Sequence, residues 1–278
     1  MEKLIDFDGL FDEKLTQYMH ENANKYTEKQ WEDIIPKLYK KFGDTYVAKV
    51  KCTPKEYYAK MSNEELTQTL SAHLQQDVPV PEFLCSEIEK RGEAETLLPL
   101  LQGEDTQTAV YAMNLLGDDG RAFDAYFTIL EQGRFDEDLR CDAVDILKFH
   151  ADEVRDRAYE NWQKGVAVEY MLEIISRIKE KEDKYFDALM QAFRTDENLP
   201  MKASYLAAYN DERALPALME RIEDRTIGFV EFQELKYAIE ALGGEYNEPR
   251  DFSDDKDYLA VEVASAKAMS QEDDNTRS

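Results

Sequence analysis

The sequence predicts an all-α chain of repeated helical hairpins, and three observations predict it. Apolar residues recur at spacings of three and four, as Val168, Met171, Leu172 and Ile175 do, which places them on one face of a helix. Helix starts and stops follow closely on one another. Thr27 with Gln30 has the form of a capping box, and Thr53-Pro54-Lys55-Glu56 and Ser62-Asn63-Glu64-Glu65 read as further starts, while glycines stand after the apolar runs, where a helix ends most easily. Short segments also echo one another. Glu212-Arg213-Ala214-Leu215-Pro216-Ala217-Leu218 aligns with Glu95-Thr96-Leu97-Leu98-Pro99-Leu100-Leu101, and Asp211 to Leu215 aligns with Asp119-Gly120-Arg121-Ala122-Phe123. Asp138 to Leu147 matches Glu234 to Leu242 in pattern, with a small Ala at mid-helix in each.

The elements follow in order. Asp12 to Asn24 predicts a helix with Leu15, Tyr18 and Met19 on one face. The Thr27 box opens a second, carrying Trp31, Ile34, Ile35, Leu38, Tyr39 and Phe42, with Gly43 as its stop. Pro36 lies inside this pattern and is expected to kink the helix or end its first part. Asp44 to Thr53 reads as an ordered loop or one short strand. Helices then start at Thr53 and Ser62, the latter running through Leu66, Leu70 and Leu74. Residues 1–78 hold 14 acidic and 11 basic residues, all the basic ones Lys. They form a helical N-terminal cap or small docking region.

Val78-Pro79-Val80-Pro81 marks a boundary, because alternate prolines stop a helix and favour extended chain. Residues 79–244 then hold one helix, Phe83 to Arg91, and five hairpins. Their helices are Glu93 to Gln102 with Asp105 to Leu116, Arg121 to Gln132 with Glu137 to Phe149, Asp152 to Lys164 with Val166 to Lys179, Asp183 to Arg194 with Leu199 to Tyr209, and Arg213 to Asp224 with Phe229 to Leu242. One hairpin cannot bury its apolar stripe alone; stacking on neighbours does so. Leu147 is accordingly expected inside and Asp145 outside. Residues 245–278 form an acidic C-terminal segment, with a short helix or strand at Tyr258 to Ala264 and disorder from about Ser270.

At the echoed positions the chain resembles the HEAT-repeat family in its short bacterial form, over about residues 79–244. The resemblance implies a right-handed α-α superhelix, a HEAT-like solenoid, with residues 1–78 as its cap. The period here is about 30 residues against the roughly 40 of HEAT units, and a generic helix-hairpin array meets it too. If second helices line the concave side, as in HEAT-like solenoids, then Tyr170, Tyr205, Tyr209 and Tyr237 are the first partner-binding surface to test. Tyrosine buries area with little entropy loss at interfaces, and it fills helical cores equally well.

The net charge is −26, from 60 acidic and 34 basic residues. Self-repulsion on that scale disfavours nucleic acid and anionic membranes and suits a basic protein partner. No apolar run approaches the roughly 20 residues of a membrane span, and the start Met1-Glu2-Lys3-Leu4-Ile5-Asp6 lacks the pattern of a signal peptide, so the cytoplasm is expected.

Cys52, Cys85 and Cys141 are an odd count without a Cys-x-x-Cys pair, unlike a disulfide framework or zinc knuckle. His20, His73 and His150 fall in separate segments, and none belongs to a metal-binding pair. Asp251 to Asp257 lacks the spacing of a calcium loop, and no phosphate-binding glycine loop occurs. No catalytic residue, cofactor or metal is therefore predicted. The expected function is a non-catalytic protein-binding scaffold. The alternatives are a repeat-fold enzyme, resembling a DNA glycosylase or a chromophore lyase, or an acidic mimic of nucleic acid. A glycosylase groove would need a concentration of arginine such as Arg155 with Arg157.

Overall fold

The computed structural model describes residues 4–23, 25–195 and 197–264, and its regular structure is helical. Among the described residues the sole extended pairing is an isolated bridge from Val47 to Cys52, so the stretch from Asp44 to Thr53 is an ordered loop. Two units pack internally, Met1–Ala143 and Val144–Ser278. The expectation of disorder from Ser270 falls outside the described residues.

The first unit opens with α1 (Phe7–Glu21) and α2 (Glu28–Phe42). α1 starts five residues earlier than its apolar spacing suggested, because Asp6 caps it by accepting from the Gly9 amide at 2.7 Å. α2 runs through Pro36 as one helix, so the proline does not end its first part. A mid-helix proline costs about 3 kcal/mol, and tertiary packing on both sides of it meets that cost. Trp31 stacks edge-on against Tyr18 and Tyr26, while Tyr39 and Phe42 pack on Phe11 and Phe83.

Capping boxes at Thr53 and Ser62 open α3 (Pro54–Ala59) and α4 (Asn63–Gln75) as the sequence indicates. α5 (Glu82–Arg91) follows the proline pair, then α6 (Ala94–Leu97), which tightens into a 3₁₀ turn at Leu98–Gln102, and α7 (Thr106–Leu116). A 3₁₀ turn at Gly120–Ala122 leads into α8 (Phe123–Gln132), and α9 (Glu137–Phe149) contains the division between units. α5 and α8 end on Gly92 and Gly133 in the left-handed conformation, at φ 61° and 60°.

The proline joint at 78–81 lies within the first unit rather than between the two. α5 packs against both α3 and α4, and the Arg91 guanidinium reaches back to the carbonyls of Met61 (2.7 Å) and Ala59 (3.3 Å).

The second unit contains α10 (Ala151–Gln163), α11 (Val168–Ile175), α12 (Asp183–Phe193) and α13 (Leu199–Tyr209). A 3₁₀ turn at Glu212–Ala214 then enters α14 (Leu215–Ile222), followed by α15 (Phe229–Ala241); residues 256–264 are helical. Packing is between near neighbours in sequence: α10 on α11, α12 on α13, α14 on α15, and α13 on α15 and α11. Leu147 is fully buried, and the Asp145 side chain is exposed beside Lys148.

The echoed segment turns out to be a structural device. At Asp119-Gly120-Arg121-Ala122, the aspartate caps the 3₁₀ turn and grips Arg121 through Nε (3.0 Å) and Nη2 (2.6 Å). The same guanidinium donates to the Gly92 carbonyl, 29 residues upstream, at 2.7 Å. At Asp211-Glu212-Arg213-Ala214 the arrangement repeats: Asp211 holds Nε (3.0 Å) and Nη2 (2.7 Å), and Nη1 reaches Asp183, 30 residues upstream, at 2.7 Å. Ala122 and Ala214 are fully buried beneath these turns. A second recurrent contact covers helix ends, whose last carbonyls have no donor of their own. Arg134 donates to Leu101 and Gly103, Arg250 to Asp224 and Ile222, and Lys181 to Tyr209.

These grips predict an acid sensitivity. Hydrogen bonding from Arg121 and Arg213 holds the carboxyls of Asp119 and Asp211 below the ordinary aspartate range. An unfolded aspartate titrates near ~3.9. Each pair's contribution is thus complete above that pH and is lost as pH falls through the lower native value. The variant with Asp119→Asn and Asp211→Asn should melt lower at neutral pH and lose less stability between neutrality and the acid limb. Urea midpoints measured across that range would show it, and parallel curves would contradict it.

Candidate functional site

α11, α13 and α15 are the second helices of the last three hairpins. Because α13 packs on both of the others, the three form one layer. On α13, Met201, Ser204, Tyr205 and Ala208 fall at helical spacing along a single stripe. Tyr237 and Ala241 do the same on α15, while Glu173 on α11 and Arg177 in the turn that follows it complete the lining. Together they line a groove of about 250 Å³. Its alanines leave room between the helices, and its rim carries two large apolar side chains in solvent: Tyr237 is 63% exposed and Met201 43%.

The four predicted tyrosines therefore separate. Tyr205 and Tyr237 come together in this groove, but Tyr205 is only 5% exposed and serves as floor. Its ionisation is pushed up by burial and by the nearby carboxylates Glu173 and Glu169. Tyr170, on α11, is half-buried. Tyr209 is fully buried, which corrects its expected place on a binding surface. Its hydroxyl donates to the Glu182 carbonyl at 3.3 Å, and the Lys181 ammonium lies 3.7 Å from its ring centre. Tyr209 thus secures α13 to the entry of α12. Met201 is the residue the sequence argument missed. Its signal was spacing: it precedes Tyr205 by one helical turn.

The floor is tied by charge. Lys202 is 3% exposed, and its ammonium meets both carboxylate oxygens of Glu169 on α11. Lys148 spans Asp145 and Glu173, each at 2.6 Å. Both cations are paired with carboxylates of this chain, and the groove lining itself holds one carboxylate, Glu173, and one guanidinium, Arg177.

Other chemistry is dispersed. Cys52 is buried and Cys141 exposed; Cys85 is half-buried, its thiol pushed up to about 11 by burial and by Glu89, which keeps it protonated and weakly nucleophilic at neutral pH. His73 is buried, and His150 lies 3.5 Å from Glu153. Among the described residues no group of three His, Cys, Asp or Glu side chains is placed to share a metal ion, and no helix is long and apolar enough to cross a membrane. No family model, curated protein or solved structure matches the chain.

Proposed function

We propose that this protein is a non-catalytic scaffold of HEAT-like helical repeats, a right-handed α-α superhelix, that holds a partner protein on the face of α11, α13 and α15. One observation carries the reading: two large apolar side chains, Tyr237 and Met201, stand in solvent at a groove that Tyr205 floors and alanines leave open. Exposed tyrosine beside a preformed depression is the usual composition of an interface hot spot. The repeat reading draws support from the Asp-x-Arg-Ala turn, which recurs with the same grip and with Nη1 reaching a carboxylate of the hairpin before it, Glu95 at 3.3 Å and Asp183 at 2.7 Å. The net charge of −26 favours a partner with a basic surface.

The test uses the full chain as bait in a lysate of its native host, beside the variant carrying Tyr237→Ala and Met201→Ala. Both sites are exposed, so the variant should melt within a degree or two of the parent. Loss of a hot spot worth about 2 kcal/mol weakens binding roughly 30-fold. The proposal expects one or more proteins bearing basic surfaces to be captured by the parent and lost with the variant. Identical captures by the two baits would overturn it.

A further inference from the structure

A cleft of about 940 Å³ lies among α1, α2, α3 and α5 of the first unit. That volume is at the upper end of the range of ~300–1,000 Å³ typical of ligand sites. Its wall is aromatic. Tyr39 stacks on Phe83 with ring centres 4.7 Å apart and planes 8° from parallel, and Phe11 meets Tyr39 edge-on at 4.9 Å. This wall is held in place. The Tyr39 hydroxyl donates to Asp8 at 2.5 Å, and burial together with that bond keeps it protonated. Behind Phe83, Gly43 leaves the space the ring needs, since a Cβ there would stand 2.5 Å from its Cε1.

The rim is polar, and its charges are unequally engaged. Glu56 accepts the Thr53 amide in the α3 capping box at 3.1 Å, and Glu87 is held by Arg91 at 2.9 Å and by Lys90 at 3.2 Å. Glu82 sits in the first turn of α5, where the helix dipole favours a carboxylate. The lysines are freer. Lys40 has no ion-pair partner among the described residues, and Lys55 pairs only with exposed Asp44 at 2.7 Å. Lys90 is largely in solvent. Exposed pairs of this kind are worth about 0–1 kcal/mol, so an incoming carboxylate can exchange into them. Residues 1–78 contribute only −3 of the net charge of −26. An acidic partner is therefore repelled less by this region than by the more acidic remainder of the chain.

We infer that the cleft between α2, α3 and α5 binds an acidic amphipathic peptide segment of a partner protein. Its apolar side chains enter against Tyr39 and Phe83, and its carboxylates meet Lys40, Lys55 and Lys90. The mode is a helix laid in a groove between helices, with anchors three and four residues apart. This surface is separate from the α11–α13–α15 face and would stand if that one bound nothing.

The full chain, immobilised, is panned against a phage-displayed library of random peptides, and the enriched peptides are synthesised and titrated. Two variants leave the buried wall untouched. Ser86→Trp fills the cleft from an exposed position on α5, and Lys40→Glu with Lys55→Glu and Lys90→Glu reverses the rim. The expected peptides carry Asp or Glu with aromatic or aliphatic residues at helical spacing. Each variant, with an unchanged melting curve, should weaken their binding by about tenfold or more, and added salt should weaken it further. Enriched peptides without acidic bias, binding that survives Ser86→Trp, or no enrichment over the bare support would each overturn the inference.

Discussion

Leu206→Glu is expected to unfold the second unit. Leu206 is 1% exposed on α13, the helix that packs against α11, α12 and α15 together. Three costs combine. The leucine loses about 1.5–3 kcal/mol of burial, the surrounding helices are left with a poorly filled site, and a carboxyl group is forced into a fully buried position. Their sum exceeds about 5 kcal/mol, the lower end of the total stability of an ordinary domain. Met201→Glu supplies the control on the same helix. Met201 is 43% exposed, so its substitution should move stability by only about 0.5 kcal/mol. Circular dichroism during urea titration separates the two. Met201→Glu should keep the parental midpoint, and Leu206→Glu should lose the cooperative transition of that unit. Equal midpoints would mean that α13 is not the buried hub described above.

What was legible in the sequence, and what was not, follows from range. The caps at Thr27, Thr53 and Ser62 are decided within four residues, and reading those residues suffices. The Asp-x-Arg-Ala echo was visible as a string of residues. Its meaning was not, because the reach of Arg121 to Gly92 and of Arg213 to Asp183 spans about one repeat. At Pro36 local cost allows a kink or an end, and the helix continues with aromatic rings packed on either side of the proline. The proline joint at 78–81 ends a helix, as prolines do, yet nothing in a proline determines whether the following helix folds back on those before it.

α13 was the hardest helix to read. It is apolar nearly all round, so its pattern does not say which stripe is covered. Its one charged residue, Lys202, is buried rather than solvated. Tyr209 is expected on a binding surface because it lies on a second helix, and membership of that helix does not tell its buried stripe from its exposed one. The N-terminal cleft was foreseen only as an aromatic, lysine-rich region, since its walls come from helices many residues apart.

The buried lysine yields the most discriminating prediction. Glu169→Ala is expected to destabilise the protein by about 3–5 kcal/mol, although Glu169 itself is more than half exposed, because the Lys202 ammonium would be left inside without its anion. Lys202→Met keeps the length of the side chain and removes the charge. It should cost little or add stability, as replacing a buried ion pair by an apolar group commonly does. In the Lys202→Met background, Glu169→Ala should then cost almost nothing. The four proteins form a double-mutant cycle whose coupling energy nearly equals the whole effect of the single Glu169 substitution, and urea unfolding measures it. If Glu169→Ala costs the same whether residue 202 is Lys or Met, the pair is not what joins α11 to α13. If the coupling is found, the consequence for binding is direct. Tyr205 lies above this pair, with the ammonium 5.7 Å from its ring centre, and Met201 occupies the next position along the helix. Losing Glu169 should therefore loosen the floor of the α11–α13–α15 groove and, on the proposed function, weaken the capture of a partner there, while Lys202→Met leaves that capture intact.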